Sequence, residues 1–233
     1  MKKDPEKATS MERAYRRIRE KIMAGELLPG TPLREEHIAR ELGVSATPVR
    51  EALRRLANEG CVSSAPYRGS FIREFSDREL DDLFRLREVL EGLAVRLAAE
   101  NASSGELEQV KAAVGAEARY IAEAEKAGLS ELQPSFEQEI AFHAAVASVC
   151  GSVRLAEQLE TVKTQLACVF LLDRGAVPLT RLLRVNLQHR MIAEAVFLRW
   201  GDAAEGLMRC HLREGRARLA ALRRGETSRE EPL

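Results

Sequence analysis

Three histidines and one carboxylate are the residues in this chain whose types and spacing best support chemistry. Glu139 and His143 are four residues apart in Glu139-Ile140-Ala141-Phe142-His143. On an α-helix that spacing puts both side chains on one face, one turn apart, so one metal ion could take both. His189 lies in the series Leu182, Val185, His189, Ile192, Val196, and His211 follows Ala204 and Leu207. Both therefore fall on apolar stripes of helical period and are expected to point inward. A lone histidine on such a stripe is usually a hydrogen-bonded core residue. Three inward histidines on separate helices, one with a carboxylate a turn away, form a set of imidazole and carboxylate donors. Such a set suits Zn²⁺, Ni²⁺ or Mn²⁺ and leaves coordination positions for water or a ligand oxygen. Cys210 neighbours His211, but adjacent helical residues point about 100° apart, so it is not counted with the set. The fourth histidine, His37, lies in the N-terminal third, outside it.

Arg87 is a second anomaly. It sits in the seam Leu80, Leu83, Arg87, Leu90, Ala94, Leu97, where every other member is apolar. A guanidinium in a bundle interior must be paired, because an isolated buried charge is very costly. Glu91, one turn on, or an acid from another helix would answer that need. So would an anionic ligand, which the guanidinium fork fits in bidentate fashion.

The elements that must position these residues are helices. The 233 residues are 45% hydrophobic and 31% charged, with aromatics at only 5%. Ala, Leu, Arg and Glu abound, which favours helix over sheet. Ser76-x-x-Glu79, Ser103-x-x-Glu106, Ser135-x-x-Gln138 and Asp202-x-x-Glu205 carry the signature of a capping box. With breaks at Asn101, Gly128, Gly151, Gly175–Pro178 and Gly201, they divide the later chain into six helices with no strand between them. The spacing predicts an antiparallel all-α bundle over 76–225, followed by a flexible tail, 226–233.

Residues 1–75 read differently. Met11, Tyr15, Ile18 and Ile22 mark a first helix, and Leu28 to Pro32 a turn. Leu33, Ile38, Ala39 and Leu42 mark a second helix closed by Gly43. Ser45 is placed to cap a third helix with Val49, Ala52, Leu53 and Leu56 inward and Arg50 and Arg54 on the other side. Val62–Ala65 and Ser70–Arg73 flank Pro66-Tyr67-Arg68-Gly69 as a small hairpin. Three helices and a hairpin make a winged helix-turn-helix, whose third helix enters the major groove of DNA.

Charge agrees weakly. The whole chain is formally neutral, but residues 1–75 carry 15 Lys+Arg against 11 Asp+Glu, so a mildly basic head precedes an acidic body. The four cysteines show no C-x-x-C pair, which points to reduced thiols. No apolar run approaches membrane-spanning length and the N-terminus lacks an apolar signal region, so the expected location is cytoplasmic, with no membrane partner.

The run Gly43-Val44-Ser45-Ala46-Thr47-Pro48-Val49-Arg50-Glu51-Ala52-Leu53-Arg54-Arg55-Leu56, then Gly60 and Arg68-Gly69-Ser70-Phe71-Ile72, resembles the GntR family of bacterial repressors over about forty residues. The resemblance implies contacts to DNA bases and phosphates from Arg34, Ser45, Thr47, Arg50 and the wing Gly69. Arg54 on the helix face and Arg68 at the hairpin tip join this expected set. Ala46 stands where most members carry a DNA-touching arginine, so one donor set is missing.

The body resembles the all-helical effector domain of the FadR/FCD subgroup over most of 78–223. The residues concerned are Leu86-Arg87…Leu90-Glu91, Ile140-Ala141-Phe142-His143, His189-Arg190-Met191-Ile192-Ala193-Glu194-Ala195, and Asp202-Ala203-Ala204 leading to His211. Many members bind a divalent metal through an acid-x-x-x-His pair and two further histidines, which fall here on Glu139, His143, His189 and His211. The subgroup usually has aspartate at the first position; glutamate is one methylene longer. The usual Gly-Asn after that helix is Gly151-Ser152, and Gln188 stands where a glutamate is usual. A small organic acid commonly binds near the metal in such domains, with help from an arginine on the first body helix, which implies an effector role for Arg87.

The expectation is therefore a homodimeric regulator that binds two-fold operator DNA and responds to a small carboxylate effector. Two alternatives use the same residues: a metal-dependent helical enzyme with an accessory DNA-binding head, and a direct sensor of the metal. Against the enzyme, the sequence offers no spare general base, no nucleophile-base pair and no E-x-x-H duplication. The catalytic set is accordingly taken as empty.

Overall fold

The fold is seen in a computed structural model that describes residues 9–65, 69–132, 136–170 and 176–224; of Phe136, Glu137, Glu139 and Phe170 only the backbone is described. The chain forms two compact units, one of 1–75 with 163–174, the other of 76–162 with 175–233.

In the first unit, α1 (Ser10–Met23), α2 (Glu35–Leu42) and α3 (Ala46–Asn58) bury Ala14, Ile18, Ile22, Ala39, Val49, Ala52, Leu53 and Leu56. Helix α1 starts with a capping box: the Thr9 hydroxyl accepts from the Glu12 N–H, and the Glu12 carboxylate accepts from the Thr9 N–H. Helix α2 ends at Gly43, whose φ of 63° is the left-handed conformation that turns the chain into α3. Strands β2 (Val62–Ala65) and β3 (Gly69–Ile72) pair antiparallel, Val62 opposite Ile72 and Ala65 opposite Gly69.

The turn expected at Leu28 to Pro32 needs a correction at its end. Pro32–Leu33 forms a short strand, β1, that pairs antiparallel with β3 and makes the sheet order β1-β3-β2. Two residues are too few to show a period of two, and proline is tolerated on an edge strand, where its missing N–H costs no ladder bond.

The second unit holds six helices among its described residues: α4 (Asp77–Asn101), α5 (Ser104–Lys126), α6 (Phe136–Val149), α7 (Val153–Phe170), α8 (Leu179–Phe197) and α9 (Gly201–Arg223). The last turns of α7 are grouped with the first unit. The capping boxes at Ser76–Glu79 and Ser103–Glu106 are formed as the sequence signals. Ser135 lies outside the described residues. Asp202 does not cap α9: the helix begins at Gly201, so Asp202 lies within its first turn and pairs with Arg96, while Trp200 occupies the cap position with no side-chain bond.

The expectation of no strands is also corrected. Glu131–Leu132 (β4) and Val177–Pro178 (β5) pair antiparallel, and the Leu179 N–H continues the contact to the Ser130 carbonyl at 2.8 Å. A two-residue ribbon gives no alternation for the sequence to reveal.

The core of this unit is built from Ala94, Val95 and Ala98 of α4, Val110 and Val114 of α5, Phe142 and Val146 of α6, Ile192 and Val196 of α8, and Met208 and Leu212 of α9. Small residues on α4 let its neighbours approach closely, so the stripes that carry Arg87 and the histidines face one interior.

Candidate metal centre and nucleic-acid interface

His143 on α6, His189 on α8 and His211 on α9 meet. Their ligand-capable nitrogens all lie within 4.8 Å of one another. Nε2 of His211 is 3.3 Å from Nε2 of His189 and 3.3 Å from Nε2 of His143. His143 and His189 are buried, while His211 is half-buried at the edge of the core. Phe142 stacks on the His189 ring at a centroid distance of 4.2 Å and fixes its plane.

Each outer nitrogen has its own acceptor. Nδ1 of His143 donates to Glu91 on α4. Nδ1 of His189 donates to Glu117 on α5 at 2.9 Å, and Asn186 Nδ2 holds the same carboxylate at 3.1 Å. Nδ1 of His211 donates to Gln188 Oε1 at 2.8 Å, and the Gln188 amide is oriented by its own donation to Glu214 at 2.8 Å. A carboxylate or amide oxygen can only accept, so the proton of each imidazole sits on Nδ1. In the neutral form of each ring, the three Nε2 atoms therefore present lone pairs to one another.

Such an arrangement is repulsive in itself and is relieved by a cation. A Zn–N bond of about 2.0–2.1 Å gives tetrahedral ligand atoms roughly 3.3 Å apart, which matches the two shorter separations. The donor set fits a divalent metal. Outer acceptors of this kind fix the tautomer and raise ligand basicity in metal sites.

Protonation favours the same state. Burial pushes the His143 imidazole below its ordinary range, although Glu91 pulls the other way. Burial, then the neighbouring His143 and His189, push His211 well below the ordinary imidazole range. Burial alone would raise the Glu91 carboxyl; Arg87 and His143 outweigh it and hold it well below the usual carboxylate range.

Sequence reasoning found the three histidines but not their outer partners. In the sequence Glu91 stands out only as a partner for Arg87, and Gln188 only as a departure from the family pattern. Glu117 had no findable signal: it is seventy-two residues from His189 and looks like any charged residue on α5. Glu139 occupies α6 one turn before His143, but its side chain lies outside the described residues.

Arg87 is 6% exposed and its Nε donates to Glu91 Oε1 at 2.5 Å, so the internal ion pair expected as the plain alternative is formed. Glu91 thus joins the arginine to His143. Among the described residues no protein acceptor takes the terminal amino groups of Arg87.

In the first unit Arg34, Ser45, Thr47, Arg50, Arg54 and Gly69 are all exposed, while Arg68 lies outside the described residues. Ser45 occupies the cap position of α3 without a side-chain cap bond, which leaves its hydroxyl available. Arg50 is held by Glu35: its Nε is 3.0 Å and its Nη2 2.8 Å from Glu35 Oε2. Gly69 opens β3 at φ 71°, and a Cβ there would meet open space, so its glycine serves the backbone conformation rather than clearance.

A winged helix-turn-helix and a helical unit with this histidine centre define a DNA-binding regulator of transcription. The profile described as "Bacterial regulatory proteins, gntR family" matches residues 10–72, and the FCD domain profile matches 82–214. The chain belongs to the GntR family and carries an FCD effector domain. It is 29% identical over 204 residues to the HTH-type transcriptional repressor RspR of Escherichia coli, covering 87% of this chain and 86% of that protein. It is 45% identical over 80 residues to a probable D-xylose utilization operon transcriptional repressor of Paenarthrobacter nicotinovorans, a match spanning only 35% of that protein. Among solved structures, E. coli McbR/YncC superposes with a TM-score of 0.76 at 23% identity, covering 93% of this chain and 99% of that one. A putative GntR regulator from Rhodococcus gives 0.72 at 24% identity, covering 92% and 99%. These two likenesses show the fold. No described helix is long and apolar enough to cross a membrane.

Proposed function

We propose that this regulator binds a divalent metal, Zn²⁺, Ni²⁺ or Mn²⁺, through His143, His189 and His211, with Glu139 as the expected fourth ligand. A small carboxylate beside the metal then sets the affinity of the head for operator DNA. The observation that carries this reading is the convergence of three Nε2 lone pairs whose imidazole protons are committed elsewhere. Arg87 supplies the second half of the effector site, because its Nη groups can form the fork that a carboxylate accepts.

The protein acts as a homodimer on a two-fold operator, in the cytoplasm, and is not an enzyme. The DNA-contacting set is Arg34, Ser45, Thr47, Arg50, Arg54, Arg68 and Gly69. The working division is 1–75 for DNA, 76–225 for ligand and metal, and 226–233 as tail. For the effector to act, it must bind the DNA-competent and incompetent states unequally.

A second reading, that the chain senses the metal itself, is favoured by His211, whose half-buried position leaves the centre an edge toward solvent. Electrophoretic retardation of the upstream DNA separates the two. Under the first reading a panel of organic acids changes retardation while metal is held constant; under the second, only chelation and metal readdition do. DNA binding insensitive to both would end the ligand-responsive proposal.

A further inference from the structure

The three imidazoles of the centre do not lean on equal partners. His143 donates to Glu91 and His189 to Glu117, both carboxylates, and each carboxylate is held by a second donor, Arg87 on Glu91 and Asn186 on Glu117. His211 donates instead to a neutral amide oxygen, Gln188 Oε1. It is also the one ring of the three that is half-buried rather than buried.

The difference has a chemical consequence. A cation draws electron density out of an imidazole, and the positive charge that builds on Nδ1–H is met best by an anionic acceptor. Charge-assisted hydrogen bonds are roughly twice as strong as neutral ones, and outer acceptors raise the basicity of a ligating histidine. Nε2 of His211 is therefore the weakest donor of the three, and the ring's half-buried position lets water compete for its place.

An amide can also face an imidazole in two ways. Its oxygen accepts from Nδ1–H and leaves the lone pair on Nε2; its NH₂, turned to the same atom, demands the other tautomer and puts the proton on Nε2. Glu214 makes the choice. Gln188 Nε2 donates to Glu214 Oε2 at 2.8 Å, and a carboxylate only accepts, so the amide oxygen is left for His211. Glu214 is exposed on α9, three residues after His211, so a surface charge reaches the centre through one side chain.

We propose that Gln188 and Glu214 make His211 the releasable ligand of the centre. Glu214 fixes the amide, the amide fixes the His211 tautomer, and the neutrality of the amide keeps the metal exchangeable. Both are positioning residues, since they act on the metal only through His211. The inference rests on the metal-binding reading above, and the test separates the two.

Gln188→Glu combined with Glu214→Gln exchanges the two side chains. It keeps the composition, the net charge and a donor–acceptor pair between the two positions, but sets the carboxylate against His211. Full-length wild type, this exchange, Gln188→Ala and Glu214→Ala are titrated with Zn²⁺ against a chromophoric chelator, and release is timed after mixing with excess EDTA. The exchange should tighten Zn²⁺ binding and slow its release, each roughly tenfold. Glu214→Ala, a surface truncation that leaves the metal-free melting temperature unchanged, should loosen Zn²⁺ roughly tenfold. With Co²⁺ as the probe, the visible absorption bands should shift in the exchange, which a merely structural role would not do. An exchange that matches wild type, or that binds as weakly as Gln188→Ala, overturns the inference and leaves the metal reading standing. So does a Glu214→Ala variant that holds Zn²⁺ as wild type does. A wild-type chain that takes up neither ion overturns both.

Discussion

Glu117 and His189 sit on different helices, α5 and α8, and are joined by a 2.9 Å hydrogen bond from the imidazole Nδ1 to the carboxylate. The bond decides which nitrogen of His189 is left to face the centre. Replacing the acceptor with Glu117→Ala should therefore lower metal affinity about 10- to 100-fold while leaving all three histidines in place. Competition titration against a chromophoric chelator measures this. Unchanged affinity would show that Glu117 does not orient the ligand.

His143 and His211 face each other through Nε2, so removing either should abolish the shared site. In His211→Ala, added Zn²⁺, Ni²⁺ or Mn²⁺ should no longer raise the melting temperature. The wild-type chain should gain about 2.7 kcal/mol at a hundredfold excess over Kd. Thermal-shift titration together with elemental analysis of the purified protein provides the check.

Acid should destabilise the metal-free protein in two stages. His143 and His211 have folded-state pKa values below the ordinary 6.5, so the unfolded chain takes up protons first as pH falls past that value. Stability present above about pH 6.5 is lost progressively below it. Glu91, held below the ordinary 4.5, adds a second loss as pH falls below about 4.5. Thermal unfolding from pH 8 to pH 4 should show the upper slope reduced in His211→Ala.

Arg50 is exposed and bound to Glu35, an ion pair of little worth to stability at such a surface. Arg50→Ala should cost the DNA complex about 1–3 kcal/mol with a melting temperature near wild type. Glu35→Gln, which removes the internal competitor, should tighten DNA binding. Retardation assays over a salt series measure both, and the salt slope should fall by about one in Arg50→Ala if the contact is to phosphate.

Arg87→Met removes the guanidinium but keeps the apolar stem. The effector response should disappear while metal-induced stabilisation persists, because Arg87 touches Glu91 rather than the imidazoles. Isothermal titration with the carboxylate that proves active in retardation assays is the measurement. Loss of metal binding as well would show that Arg87 acts through Glu91 on His143.

Much of this protein was written in local pattern. The 3-4 spacing of apolar residues marked α4 and α8, Ser76–Glu79 and Ser103–Glu106 marked helix starts, and His143, His189 and His211 stood out as polar residues on apolar stripes. Those signals are legible because each concerns neighbours within one or two turns of a single helix. Tertiary structure alone decided that Nε2 rather than Nδ1 of each imidazole faces inward, since Glu91, Glu117 and Gln188 reach these rings from other helices or other turns. It also decided that Asp202 serves Arg96 instead of capping α9, and that Pro32–Leu33 and Glu131–Leu132 become strands. A two-residue ladder and a cross-helix hydrogen bond have no period, so only packing the chain against itself brings their partners within reach.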